Sequence, residues 1–114
     1  MRGLGRQLVV ELWDCTQNTN DAEAIREGLY RAVERAGASV IGVHVHPFKP
    51  HGVSGMAMLS ESHISVHTWP EIGYVAVDVF TCGEDVTPEG AVEVLRDLFR
   101  PERTSVIEIR RGLQ

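Results

Sequence analysis

The chain reads as an α+β fold: a two-layer α/β sandwich, with a mostly antiparallel sheet and two helices on one face. Three observations predict it. Two segments repeat apolar residues at helical spacing, six have strand composition, and the four middle strands follow one another through short connections. Short connections require antiparallel neighbours, because a parallel pair needs a long crossover. One face of such a sheet is covered by amphipathic helices.

Arg6–Trp13 alternates loosely between apolar and polar residues and opens the sheet. Asn20 is placed to cap the first helix, with Glu23 three residues on as in a capping box. Ala22, Ile25, Leu29, Ala32, Val33 and Ala36 form its apolar stripe. Arg31 and Arg35 suit the negative end of the helix dipole, and Gly37 supplies the stop. Ser39–His46, Gly55–Ser60, Ile64–Trp69 and Tyr74–Thr81 are the next four strands, and Pro47–Gly55 is expected as the longest irregular stretch. Thr87 and Pro88 start the second helix as N-cap and first residue. Ala91, Val94, Leu95 and Leu98 are its buried face, Pro101 its end, and Thr104–Arg110 the last strand. The second sheet face also carries many apolar residues, which predicts a cover from a second subunit, a homodimer.

With 114 residues, of which 43% are hydrophobic, residues 1–114 make one domain able to bury a core without disulfide or metal staples. No apolar run reaches the roughly 20 residues that cross a bilayer, and the opening residues lack a signal-peptide core. These features predict a cytoplasmic protein with no membrane partner. The net charge of −5, with cationic residues scattered along the chain, disfavours nucleic acid and mildly favours a cationic ligand. Cys15 and Cys82 are expected to be free thiols.

Three stretches concentrate chemistry: Pro47–Gly55, Ser60–Glu71 and Asp78–Gly83. His63 and His67 have the i, i+4 spacing of helical zinc ligands, but their segment has strand composition. Four residues along a strand span about 13 Å, too far for one ion. His44 and His46 share a strand face without further ligands nearby, so no metal is expected. Ser62, His67 and Asp78 make a hydrolase trio on paper, without the Gly-x-Ser-x-Gly elbow that would support it. Residue types alone leave Ser62 as a turn residue and His67 as a satisfied polar group on a sheet face.

The strings themselves are more specific. Leu4-Gly5-Arg6, Gly52-Val53-Ser54-Gly55, Ser60-Glu61-Ser62-His63, His67-Thr68-Trp69-Pro70-Glu71 and Phe80-Thr81-Cys82-Gly83 occur in this order across nearly the whole chain. Together they resemble the bacterial short-form S-adenosylmethionine decarboxylase proenzymes. The resemblance implies a covalent pyruvoyl cofactor made from Ser62 by autocatalytic serinolysis of the Glu61–Ser62 bond. A β chain, 1–61, and an α chain, 62–114, would result. It further implies that the pyruvoyl group takes the substrate amine as a Schiff base, that His67 is the processing proton acceptor with Ser54 in support, and that Cys82 is the proton donor. Phe48 and Trp69 would flank adenine and sulfonium, as aromatic faces attract cations. Glu71 would hold the ribose hydroxyls. The implied activity is decarboxylation of S-adenosylmethionine for spermidine and polyamine synthesis, in a homodimer with two sites at or near the subunit interface.

Cys15 matches no motif and reads as a small buried residue. His63, beside the scissile bond, receives no role. Two other readings stay open. One is pyruvoyl chemistry on a basic amino acid, arginine or ornithine, which Phe48, Trp69 and Glu71 oppose. The other is an unprocessed regulatory or binding homologue, which Ser62, His67, Ser54 and Cys82 oppose.

Overall fold

The structure is a computed structural model, and it describes residues 3–113. Six strands form one sheet: β1 (Gly5–Trp13), β2 (Val40–Pro47), β3 (Val53–Leu59), β4 (Ser62–Trp69), β5 (Tyr74–Cys82) and β6 (Arg103–Arg111). Two helices, α1 (Ala22–Ala36) and α2 (Pro88–Phe99), pack on one face, as the composition predicts. The strand order is β2-β3-β4-β5-β1-β6, and all five pairings are antiparallel.

Alternation along the strands decides which face is which. Leu8, Val10 and Leu12 on β1, Ala57 and Leu59 on β3, Ile64 and Val66 on β4, and Val75, Val77 and Val79 on β5 point at the helices. They meet Ile25, Leu29, Ala32 and Val33 of α1 and Ala91, Leu95 and Phe99 of α2. Burying these side chains stabilises the fold by about 1.5–3 kcal/mol each before chain entropy is counted. The helices also lie close to each other. A Cβ on Gly90 of α2 would sit 2.7 Å from the carbonyl oxygen of Arg35 in α1, so only glycine fits there.

Several local expectations are corrected. Asp21, not Asn20, caps α1, its Oδ1 accepting from the N–H of Ala24. Asn20 instead accepts from the N–H of Gly52, 2.8 Å away, and so holds the loop between β2 and β3. Thr87 does precede α2, but its side chain makes no capping bond. On α2, Val92 is buried and Val94 only half-buried, because the helix also turns a side toward α1. The irregular stretch after β2 covers only residues 48–52, since β3 begins at Val53; residues 14–21 are the longer connection. Gly37 ends α1 as expected, with φ 80° in the left-handed region.

The opposite sheet face carries no helix. Val9, Met56, Met58, Phe80, Ile107 and Ile109 share it by strand register, with Met58 53% and Ile107 58% exposed. Strand β6 extends past the helical layer, and all nine of its residues are exposed. Among the described residues, no helix is long and apolar enough to cross a membrane.

Candidate active site

Strands β3 and β4 form a tight hairpin whose two ends hold different chemistry. At the turn, Leu59 pairs with Ser62, and only Ser60 and Glu61 connect them. The hydroxyl of Ser62 accepts a hydrogen bond from the backbone N–H of Cys82, at 3.1 Å. Cys82 is the last residue of β5 and lies opposite Gly5 of β1. A Cβ at Gly5 would meet the Phe80 ring at 2.7 Å, so the glycine lets β1 pass close by the strand end. Glu61 and Cys82 line an open cleft of about 660 Å³ together with Gly3, Gly5, Arg6 and Arg110.

Arg6 brings a charge to this cleft that is already engaged. Its guanidinium bonds Glu89, in the first turn of α2, and reaches Glu108 on β6 at 2.8 Å. Hydrogen bonds from Arg6 hold both carboxyls below the usual carboxylate range and push the guanidinium's own pKa further up. Arg110 adds a contact to Glu108 at 3.2 Å.

At the far end of the same hairpin, Ser54 pairs with His67. Ser54 Oγ and His67 Nδ1 lie 2.8 Å apart and share a hydrogen bond whose direction follows the imidazole tautomer. Around them, Phe48, His51, Trp69 and Glu71 line a smaller cavity of about 260 Å³. His51 Nε2 approaches Glu71 Oε1 at 3.0 Å and orients the carboxylate. Thr68, buried, accepts from the N–H of Val53, and Phe48 donates its N–H to the carbonyl of Gly52. These bonds fix the loop that presents Phe48. Trp69 is held by an aromatic row, with Tyr74 at 5.2 Å and Trp13 stacked on Tyr74 at 4.3 Å. Burial and a hydrogen bond to Glu11 push the Tyr74 hydroxyl up to about 12.

The expected site residues therefore fall into two groups. Ser62, Glu61 and Cys82 lie at one end of β4; Ser54, His67, Phe48, Trp69 and Glu71 lie at the other. Ser62 and His67 are five residues apart on one extended strand, about 16 Å. The trio of Ser62, His67 and Asp78 does not converge: Asp78 pairs with Ser65, in the middle of the sheet. His63 stands against the Phe80 ring at 5.9 Å. His63 and His67 do lie on a strand, four residues apart. Among the described residues, no three His, Cys, Asp or Glu side chains converge as a metal would require. Cys15 is half-buried, its thiol donating to the carbonyl of Leu12, and burial with Asp14 pushes its pKa up to about 11. Sequence reasoning missed the parts played by Asn20, His51, Thr68, Tyr74 and the partners of Arg6. Only His51 had a local signal, its place inside the Pro/Gly-rich loop.

A family model described as S-adenosylmethionine decarboxylase matches residues 6–112. The chain belongs to the S-adenosylmethionine decarboxylase family. A relative from Thermomicrobium roseum, called an S-adenosylmethionine decarboxylase proenzyme, is 52% identical across 99% of this chain and 97% of that protein. One of the same name from Methanococcus aeolicus is 49% identical across 98% and 97%. The crystal structure of the adenosylmethionine decarboxylase from Aquifex aeolicus is 35% identical, with a TM-score of 0.91 over 100% of this chain and 95% of that one. A Trypanosoma brucei structure shares the fold alone, at 22% identity and a TM-score of 0.70, and this chain spans 45% of it.

Proposed function

We propose that the chain is a self-cleaving decarboxylase of S-adenosylmethionine whose cofactor is a pyruvoyl group made from Ser62. The observation that carries this reading is the hydrogen bond from the Cys82 N–H to Ser62 Oγ at 3.1 Å. It fixes the hydroxyl one residue beyond an exposed turn, adjacent to the Glu61 carbonyl, with a thiol-bearing residue on its other side. An adjacent hydroxyl held near one carbonyl has a high effective molarity.

In this scheme Ser62 Oγ attacks the Glu61 carbonyl, and the peptide nitrogen takes the hydroxyl proton as the C–N bond breaks, leaving an ester. Removal of the Ser62 α-proton then expels the Glu61 carboxylate from Cβ. The dehydroalanine left at position 62 takes up water and loses ammonia, which leaves a ketone at the new N-terminus. A pyruvoyl carbonyl supplies an electron sink, the task a bound pyridoxal ring performs elsewhere. Cys82 delivers a proton to the substrate carbon that has lost carbon dioxide. Phe48 and Trp69 offer ring faces to the adenine and the sulfonium, an attraction of about 0.5–2 kcal/mol per favourable contact. Glu71, oriented by His51, accepts from the ribose hydroxyls. His67 serves as the proton acceptor in processing, and its hydrogen bond to Ser54 sets the imidazole orientation.

His67 cannot reach Ser62 of its own chain across about 16 Å of strand. We infer that a homodimer completes the site. Two chains packed through their bare sheet faces, about a two-fold axis across the strands, lay the Ser62 end of one β4 over the His67 end of the other. Each dimer then holds two sites, and Met56, Met58, Ile107 and Ile109 leave water.

Intact mass of the denatured protein tests the cleavage, and carbon dioxide release tests the substrate. Wild type is expected as two fragments split between Glu61 and Ser62, active on S-adenosylmethionine and inactive on arginine or ornithine. Ser62→Ala is expected to stay whole and inactive. An unbroken wild-type chain with full activity would refute the reading, and a preference for arginine would move the substrate to the basic amino acids.

A further inference from the structure

Among the described residues, four other than glycine have positive φ: Asp14, Asn18, Glu61 and Arg100. Asp and Asn visit the left-handed region routinely. Arg100 closes α2, its N–H bonded to the Arg96 carbonyl. Glu61 has neither reason. It is an exposed glutamate at φ 61°, and its carbonyl belongs to the bond that the proposed self-cleavage breaks.

The turn around it is built against its own residue types. Two-residue hairpin connections normally place positive φ at the first central residue, where their twist matches the strands. Here Ser60 is not among the positive-φ residues and Glu61 is. Positive φ at the second position alone is the pattern that calls for Gly or Asn there. A glutamate Cβ is instead pressed toward its following carbonyl oxygen. The strands cannot slide to relieve it, because Leu59 is buried in the core and Ser62 is held through Oγ by β5.

We propose that this left-handed strain at Glu61 drives self-cleavage, by raising the precursor toward the transition state of the acyl shift. The proposal rests on the reading that Ser62 attacks the Glu61 carbonyl. The attack forms the Oγ–C bond and breaks the C–N bond, with the hydroxyl proton ending on the nitrogen. The chain path then runs through Oγ and Cβ of Ser62 in place of its nitrogen and gains one atom. A longer connection lets Glu61 rotate out of the left-handed region, so strain present in the precursor is released as the C–N bond breaks and the ester forms. Elimination afterwards frees Glu61 as a chain end.

Three chains separate strain from the carboxylate and from flexibility: Glu61→Ala, Glu61→Gly, and a ligated chain carrying D-alanine at position 61. The first two lack the carboxylate and differ in the Cβ. D-alanine keeps a Cβ and a stiff backbone but prefers positive φ. The fraction of uncleaved precursor is followed against time by intact mass from the moment of folding. The Glu61→Gly and D-alanine chains are expected to cleave about 5–30-fold more slowly than Glu61→Ala, the equivalent of about 1–2 kcal/mol. Equal rates for Glu61→Ala and Glu61→Gly overturn the proposal. A slow Glu61→Gly beside a D-alanine chain as fast as Glu61→Ala also overturns it, by making flexibility the cause. A wild-type chain that never cleaves would overturn the self-cleavage reading itself.

Discussion

The two cysteines are both free thiols in different surroundings, and only one of them is the proposed proton donor. Cys15 is half-buried beside Asp14, and both effects keep its proton on, with a pKa pushed up to about 11. It donates to the Leu12 carbonyl and lines neither cavity. Cys82 sits at a strand end on the larger cleft, and its link to Ser62 runs through its backbone N–H, not its sulfur. That distinction yields a prediction. Cys82→Ala keeps the backbone donor, so the chain should still divide at Glu61–Ser62, at least in part. The variant loses the proposed proton donor, so carbon dioxide release should fall by about 10²–10⁴-fold, the usual worth of a positioned acid. Mass and carbon dioxide assays on the same sample read the two effects separately, and a fully active Cys82→Ala protein would remove Cys82 from the chemistry.

Between elements, the cluster of Arg6, Glu89 and Glu108 ties β1 to β6 and to the first turn of α2, beside the cleft that Cys82 opens onto. Both carboxyls titrate below their unfolded values because Arg6 holds them ionised. Their contribution to stability is complete above the unfolded carboxylate range, near about pH 4.3, and is lost as pH falls through the lower folded values. Arg6→Met should therefore unfold at lower urea than wild type at pH 7, with the two midpoints converging as the pH falls through the lowered folded values of the two carboxyls. The carboxylates are partly exposed, so the gap should also shrink in salt. A gap unchanged by acid would mean that Arg6 acts only by packing. Nothing in the local sequence around Arg6 shows this cluster, since its acidic partners are 83 and 102 residues away. Devices that work within one turn were legible: Gly37 stops α1 and Pro88 opens α2. The cap of α1 was misread because Asn20 and Asp21 compete for one position, and a tertiary bond to Gly52 takes Asn20 away.

At the scale of the whole molecule, the sheet's order places one chain's chemistry at two ends of the same hairpin. The motif residues were legible because each lies in a short string, whereas their separation needed the register. Ser54 faces His67 and Leu59 faces Ser62, and no string states that these pairs are about 16 Å apart. The apolar bare face was legible from alternation, and it gives that separation its meaning. If two copies close face to face, each site takes Ser62 and Cys82 from one subunit and His67, Ser54 and the aromatic pair from the other. Mixing subunits tests this directly. Ser62→Ala chains lack the cleavable serine, and His67→Ala chains should cleave and turn over poorly. Co-folded in equal amounts and exchanging freely, half the dimers are mixed, and each mixed dimer rebuilds one complete site of two. Activity should therefore return to about a quarter of the wild-type level. Only the His67→Ala chains, which keep Ser62, should gain cleavage in the mixture. A site contained in one chain gives the opposite result, because every chain in the mixture then carries a damaged site, and no rescue by mixing would refute the shared site.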